Sequence, residues 1–224
     1  MPRKPLSTAA LRELGCKEVG RPVATGSAAS ASLYRPSAES ARQVRLIPRW
    51  AVASGKRRSY DPKLAALFLA NFREGVRAAR NLRVSVDRTA HLFPLDGAKL
   101  DALDEEGLER LDAFRVRFAD LQDLLAGKIF RGLLMLEEET PLSQLDVLNA
   151  MEKRAIIPSF QAWKRLRDVR NIFMHDYPEH ANDRAAALSL AATGARELAA
   201  VLERVRDYAA ERIGLVFPEE QAST

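Results

Sequence analysis

The amino-acid sequence predicts an all-α protein, an up-and-down bundle of four to five helices. Apolar residues recur at intervals of three and four over most of residues 62–212, the period of a helix with one buried face. Caps and prolines punctuate that pattern where helices would start or stop. No segment sustains the period-two alternation of a half-buried strand.

Asp61-Pro62 pairs an N-cap with a proline at the first helical position, and Leu64, Leu67, Phe68 and Phe72 follow at helical spacing toward Arg88. Phe93-Pro94 and Asp96-Gly97 mark a turn. A long helix starts near Asp104 and carries Leu108, Leu111, Phe114, Phe118, Leu121, Leu125 and Ile129 in one stripe. Thr140-Pro141 ends it and begins a shorter helix with Leu145, Leu148 and Met151. Pro158-Ser159 is the next break, with Ser159 as cap, and Phe160, Trp163, Leu166, Val169 and Phe173 then face one way. A last helix spans residues 182–212 with Leu188, Ala191, Ala195, Leu198, Leu202 and Val205 inward. Residues 62–214 therefore read as the helical domain and 215–224 as a C-terminal tail. In residues 1–61, Gly20-Arg21-Pro22 and the small-residue run from Gly26 to Ser32 interrupt any regular element, and the segment reads as a poorly ordered basic extension.

Charge is spread unevenly. Residues 1–61 hold 12 Lys/Arg and 4 Asp/Glu, whereas residues 62–224 hold 23 and 26, which together give the net +5. The basic character belongs to the extension, so it does not mark the helical body as a nucleic-acid binder. The body still contains a local basic strip, Lys153, Arg154, Lys164, Arg165, Arg167 and Arg170, against Glu152 and Asp168. The single cysteine, Cys16, excludes an internal disulfide and a multi-cysteine zinc site, and it fits a cytoplasmic setting. Neither a signal peptide nor a membrane-spanning segment is expected, because no long uninterrupted apolar run occurs.

The basic strip leads into Arg170-Asn171-Ile172-Phe173-Met174-His175-Asp176-Tyr177, ahead of Pro178. The chain has three histidines, at 91, 175 and 180. Imidazole is the side chain whose ordinary titration falls near neutral pH, and guanidinium offers a planar two-pronged clamp for phosphate. Arg170 and His175 together therefore suit metal-free cleavage of a phosphodiester, with Lys164, Arg165 and Arg167 placed to hold RNA. Five residues correspond to roughly 140° around an ideal helix, so one helix brings the two together poorly. Either His175 sits where the helix ends, since Tyr177 before proline leaves helical geometry, or a two-fold dimer builds a composite cleft with two Arg and two His.

Plainer roles exist for each residue. Arg170 with Asp168 could be a solvated surface pair, Tyr177 a boundary residue with a buried ring, and His91 structural. His175, His180, Asp176 and Glu179 match no established zinc spacing. Phe160, Trp163 and Phe173 fit a core better than a base-stacking platform. Gly127-Lys128 lacks the neighbours of a phosphate loop.

Arg-Asn-x-x-x-His-x-Tyr at the end of a penultimate helix resembles the HEPN superfamily, in particular the HepT-like ribonuclease toxins paired with minimal nucleotidyltransferase antitoxins. The likeness extends over about residues 62–212 through Leu111-Asp112-Ala113-Phe114, Leu121-Gln122-Asp123, Leu145-Asp146-Val147-Leu148-Asn149 and Ile157-Pro158-Ser159. The resemblance implies a HEPN-like homodimer and a metal- and cofactor-independent endoribonuclease. Its 2′-hydroxyl attack would use His175 as acid or base, Arg170 as phosphate clamp and Asn171 to orient His175 or the phosphate. It also implies an antitoxin that attaches AMP to Tyr177. A helical module that binds a nucleotidyltransferase without catalysing anything is the alternative.

Overall fold

A computed structural model of the chain describes residues 60–175 and 178–217, and these are entirely helical or irregular, with no strand among them. The basic extension, residues 1–61, lies almost wholly outside the described residues. Seven α-helical segments follow one another: α1 (Pro62–Thr89), α2 (Gly97–Asp101), α3 (Glu105–Leu124), α4 (Phe130–Leu136), α5 (Gln144–Lys153), α6 (Phe160–His175) and α7 (Ala181–Tyr208). A π-helical turn, Leu125–Ile129, joins α3 to α4 without a break, and a second one, Ala209–Ile213, extends α7.

Three caps act where the sequence places them, whereas α5 starts later than Thr140-Pro141, capped by Ser143 in a reciprocal pair with Asp146. The Asp61 carboxylate accepts from the Lys63 amide at 2.7 Å, and Asp104 does the same for Gly107 at 2.8 Å. Ser159 Oγ accepts from the Ala162 amide at 3.1 Å. Asp96-Gly97, expected as a turn, instead opens the one-turn helix α2, because Asp96 caps the Lys99 amide. The long helix ends at Leu136, short of Thr140, with Glu138 in the left-handed region at φ 63°.

Contacts between helices give their directions. Phe68 lies beside Gly132, Glu74 pairs with Lys128, and Ser85 meets Arg117, so α1 runs antiparallel to α3 and α4. The pairs Phe118–Phe173, Asp123–Arg170 and Phe130–Trp163 run α6 antiparallel to α3 and α4 as well. Leu166 on Gly194, and Arg204 donating to the Ile156 carbonyl, then set α7 antiparallel to α6. Successive long helices thus alternate in direction.

The expected stripes are buried or, at Leu64, Phe160 and Leu166, half-buried, with three exceptions. Leu67, Leu108 and Leu145 are 56%, 43% and 52% exposed. Each lies on the flank of its helix, roughly 100° from the buried stripe in the case of Leu67 and Leu108. The π turn explains the inward residues that simple periodicity does not reach: one extra residue rotates the following stripe, so Phe130, Leu133 and Leu134 all turn inward. Leu215 is buried and the Phe217 ring lies 4.8 Å from that of Phe72, so the packed body reaches past residue 214 into the expected tail. The 33-residue stretch Ala181–Ile213 is long and apolar enough on average to cross a bilayer. Half of its most apolar window is buried inside the molecule, where Leu188, Leu198 and Val205 face the core.

Below the α4–α5 turn sits a nearly buried charge cluster. Arg154 Nε donates to Glu137 at 2.8 Å and its Nη2 to Glu139 at 2.5 Å, while the Tyr208 hydroxyl donates to Glu137 at 3.0 Å. Burial, the largest effect on Arg154, works to lower its pKa, but the combined hydrogen bonds and charges of Glu137 and Glu139 prevail and raise it. Burial, then the Glu137 charge, raise that of Tyr208. The cluster ties the turn to the end of α7. Removing Arg154 leaves a shielded Glu137 carboxylate without its main cation. Arg154→Met is expected to lower stability by about 3 kcal/mol, read as a fall of roughly 6–12 °C in melting temperature by circular dichroism.

Candidate functional site

The α6 helix presents two unlike faces. Trp163, Val169, Ile172 and Phe173 are buried, Trp163 against Phe130 of α4 and Phe173 against Phe118 of α3, so the opposite face, with Lys164, Arg167, Asn171, Met174 and His175, is turned to solvent or half-buried. Arg170 stands at the edge of that face nearest α3, with only 21% of its side chain exposed.

Two arms of the Arg170 guanidinium are held by α3. Nη2 donates to Asp123 Oδ2 at 2.5 Å and Nε to the same oxygen at 3.1 Å. The third arm, Nη1, lies 3.3 Å from His175 Nε2 and 3.4 Å from Asn171 Oδ1. A single helix therefore brings Arg170 and His175 together, contrary to the expectation from their angular separation. The physical reason is side-chain length and direction. His175 is the last residue of α6, its Cβ tilts back toward the helix N-terminus, and the long Arg170 stem carries its charged tip to meet it. A donor N–H facing Nε2 fits an imidazole whose own proton sits on Nδ1.

Of the expected RNA-binding residues, Lys164 is exposed but bridged to Asp168 at 2.9 Å. Arg165 is exposed roughly 140° around α6 from Arg170 and belongs to another face. Arg167 is exposed one turn before Arg170 and Asn171 and forms no ion pair with the described residues. Arg154, part of the basic strip in sequence, is drawn into the Glu137 cluster with only 12% of its side chain exposed. His91 is exposed at the far end of α1, and His180 caps α7 by position without a side-chain bond. Tyr177 and Asp176 lie outside the described residues. Among the described residues no three His, Cys, Asp or Glu side chains gather to hold a metal.

Sequence reasoning missed Asp123 as a site residue. Nothing local separates it from Asp112 or Asp120 on the same helix; only the approach of α6 does. Asp123 also borders a groove of about 460 Å³ between α1 and α3, lined by Glu74, Arg77, Arg117, Asp120 and Lys128. The site and the groove thus meet at one carboxylate.

Comparison with protein-family models, with curated proteins and with solved structures yields no match.

If Asp123 serves mainly to aim Arg170, its loss alters order more than stability, since the pair is partly solvated. Asp123→Ala is expected to cost under about 1 kcal/mol while the Arg170 Nε–H, protected in the wild type, exchanges freely with water. Arginine side-chain ¹⁵N NMR measures the exchange, and unchanged protection would show that Asp123 does not hold the guanidinium.

Proposed function

We propose that this protein is a metal-independent endoribonuclease of the HEPN type, a toxin that acts in the cytoplasm and is held in check by a nucleotidyltransferase antitoxin. The observation that carries the reading is the 3.3 Å approach of Arg170 Nη1 to His175 Nε2 at the exposed end of α6. The Arg-Asn-x-x-x-His-x-Tyr pattern supports it, and so does the all-helical fold.

In this reading a phosphodiester enters beside the last turn of α6. Its non-bridging oxygens take the Nη1–H that otherwise faces His175, which releases the Nε2 lone pair. His175 then removes the proton from the 2′-hydroxyl. The 2′-oxygen bonds to phosphorus, the bond from phosphorus to the 5′-oxygen breaks, and that oxygen leaves with a proton taken from water, to which His175 returns its own. The products are a 2′,3′-cyclic phosphate and a 5′-hydroxyl. Arg170, fixed by Asp123, stabilises the charge that develops on the phosphoryl oxygens. Asn171 orients the guanidinium or the phosphate. Two copies that meet over the solvent face of α6, where Met174 is 49% exposed, would place two such pairs in one cleft.

A second reading also has an observation in its favour. Asp123 already occupies two of the three arms of Arg170, as in an ordinary structural ion pair. A non-catalytic helical module that binds a nucleotidyltransferase would need no more. Cleavage of RNA by the purified chain in EDTA separates the two readings.

His175→Ala is expected to slow cleavage by about 10²–10⁴-fold with the fold intact, because the imidazole is exposed. Arg170→Lys is expected to lose at least roughly tenfold, since an ammonium cannot both grip Asp123 and face the phosphate. Wild-type rates in the His175 variant would remove the acid–base role. Tyr177, two residues beyond His175 in sequence, is assigned as the AMP acceptor. Tyr177→Phe keeps the ring without the acceptor oxygen, so it should cut RNA yet gain no AMP from a nucleotidyltransferase and ATP. Intact-mass spectrometry reads the adduct, and an adduct on the Phe variant would move the modification elsewhere.

A further inference from the structure

The outer face of α1 carries an arginine stripe. Arg73, Arg77, Arg80, Arg83 and Arg88 are all exposed, and none forms an ion pair with the described residues. Residues 73, 77 and 80 fall within roughly 60° of one another around the helix, with Arg83 and Arg88 on its flanks. Ala66 and Ala70 continue the exposed face toward the helix start, so no bulky side chain covers it there. Unpaired, solvated guanidiniums in a row repel one another and gain nothing for the isolated fold. They suit a polyanion that releases counterions on binding.

The stripe adjoins the α1–α3 groove through Arg77, which Arg117 and Lys128 line from the α3 side and its π turn. Lys128 is bridged to Glu74 at 3.0 Å, and Arg117 donates to Ser85 Oγ at 2.5 Å. Beyond the groove stands Asp123, and beyond Asp123 stands Arg170. The acidic groups on the stripe and this route are Asp87, exposed beside Arg80 and Arg83 on α1, Glu74, neutralised by Lys128, Asp123, neutralised by Arg170, and Asp120; Asp87 and Asp120 have no ion-pair partner among the described residues. Two helix-to-helix spacings of about 8–10 Å separate the stripe from the His175 end of α6, a distance that a few nucleotides of extended chain cover.

We propose that the outer face of α1 binds the phosphate backbone of single-stranded RNA and leads it across the α1–α3 groove to Arg170 and His175. The direction of that path rests on the ribonuclease reading above. The affinity of the stripe for RNA does not, so the two can fail separately. Among the described residues this surface has no exposed aromatic on which bases could stack, so binding should depend strongly on salt and weakly on sequence.

The test uses the full chain carrying His175→Ala, so that RNA stays intact, and measures anisotropy of a labelled single-stranded RNA of about 12 nucleotides between about 50 and 200 mM salt. Arg73→Gln, Arg77→Gln and Arg80→Gln together remove three phosphate contacts. Each contact contributes about 0.7 to the slope of log affinity against log salt, so the slope should flatten by about 2. Over that fourfold salt range, the parent should lose roughly 20-fold more affinity than the triple variant. Gln is close to Arg in helix propensity, so the triple variant should fold, as circular dichroism will show. A control with Lys153→Gln, Arg196→Gln and Arg206→Gln removes equal charge elsewhere. An unchanged slope in the stripe variant, or an equal change in the control, overturns the proposal. Photo-crosslinking of uridine-rich RNA to the unmutated stripe gives a second measure: adducts on peptides of α1 support it, and adducts confined to α6 overturn it. Specific binding of an acidic protein to the stripe with no RNA affinity would also overturn it. Absence of cleavage by the wild type with RNA still bound through α1 would sink the ribonuclease reading and leave this surface standing.

Discussion

Much of the molecule depends on the packing around Phe118. Its ring is fully buried on α3 and meets Phe173 of α6 edge-on at 5.9 Å between centroids. On the other side it lies against Gly194 of α7, where a Cβ would come within 3.4 Å of the ring and 2.6 Å of Leu166. A ring of that size holds three helices in register only because one of them has no side chain at the crossing. The consequence reaches the surface one turn later. With Phe118 and Phe173 in contact, the antiparallel run of α3 and α6 brings Asp123 to Arg170, and the guanidinium is thereby aimed along the last turn of α6 toward His175.

The same residue types serve opposite ends according to burial. Arg154, Glu137 and Tyr208 are shielded, mutually satisfied and structural, and they anchor a turn to the end of the core helix. Arg170 is less enclosed and divided: Asp123 holds two arms, and the third points at the Asn171 amide oxygen and the His175 ring. Arg73, Arg77 and Arg80 are exposed, with no ion-pair partner among the described residues. Desolvation explains the gradation, because a charge withdrawn from water must be paired where it stands, whereas a solvated one stays available to a ligand.

The basic strip read along residues 153–170 illustrates how far sequence proximity misleads. Arg154 turns inward, Lys164 is tied to Asp168, and Arg165 lies on another flank of α6. Only Arg167 remains beside Arg170 without an ion-pair partner among the described residues. The α1 arginines, which a reading of local basic runs passes over, do form a surface, since positions 73, 77 and 80 have the spacing of one helical face. They escape a count of net charge because acidic residues elsewhere in the body outweigh them. Helical periodicity, not total charge, is the quantity that locates such a stripe.

By itself the sequence determined that the chain is helical, where most helices begin, and which stripes turn inward, because caps, prolines and apolar spacing act over a few residues and need no partner. It also placed Arg170, Asn171 and His175 at the end of one helix. It could not supply the π turn that rotates Phe130 and Leu133 inward, nor the flank positions of Leu67 and Leu108, because these depend on which neighbours each helix meets. Asp123 lies beyond local reading for the same reason. It sits 47 residues from Arg170 along the chain, and only the crossing of α3 and α6 makes it a partner. Tertiary packing likewise decided that one helix suffices to bring Arg170 and His175 together, since side-chain reach at a helix end is not contained in an angular count.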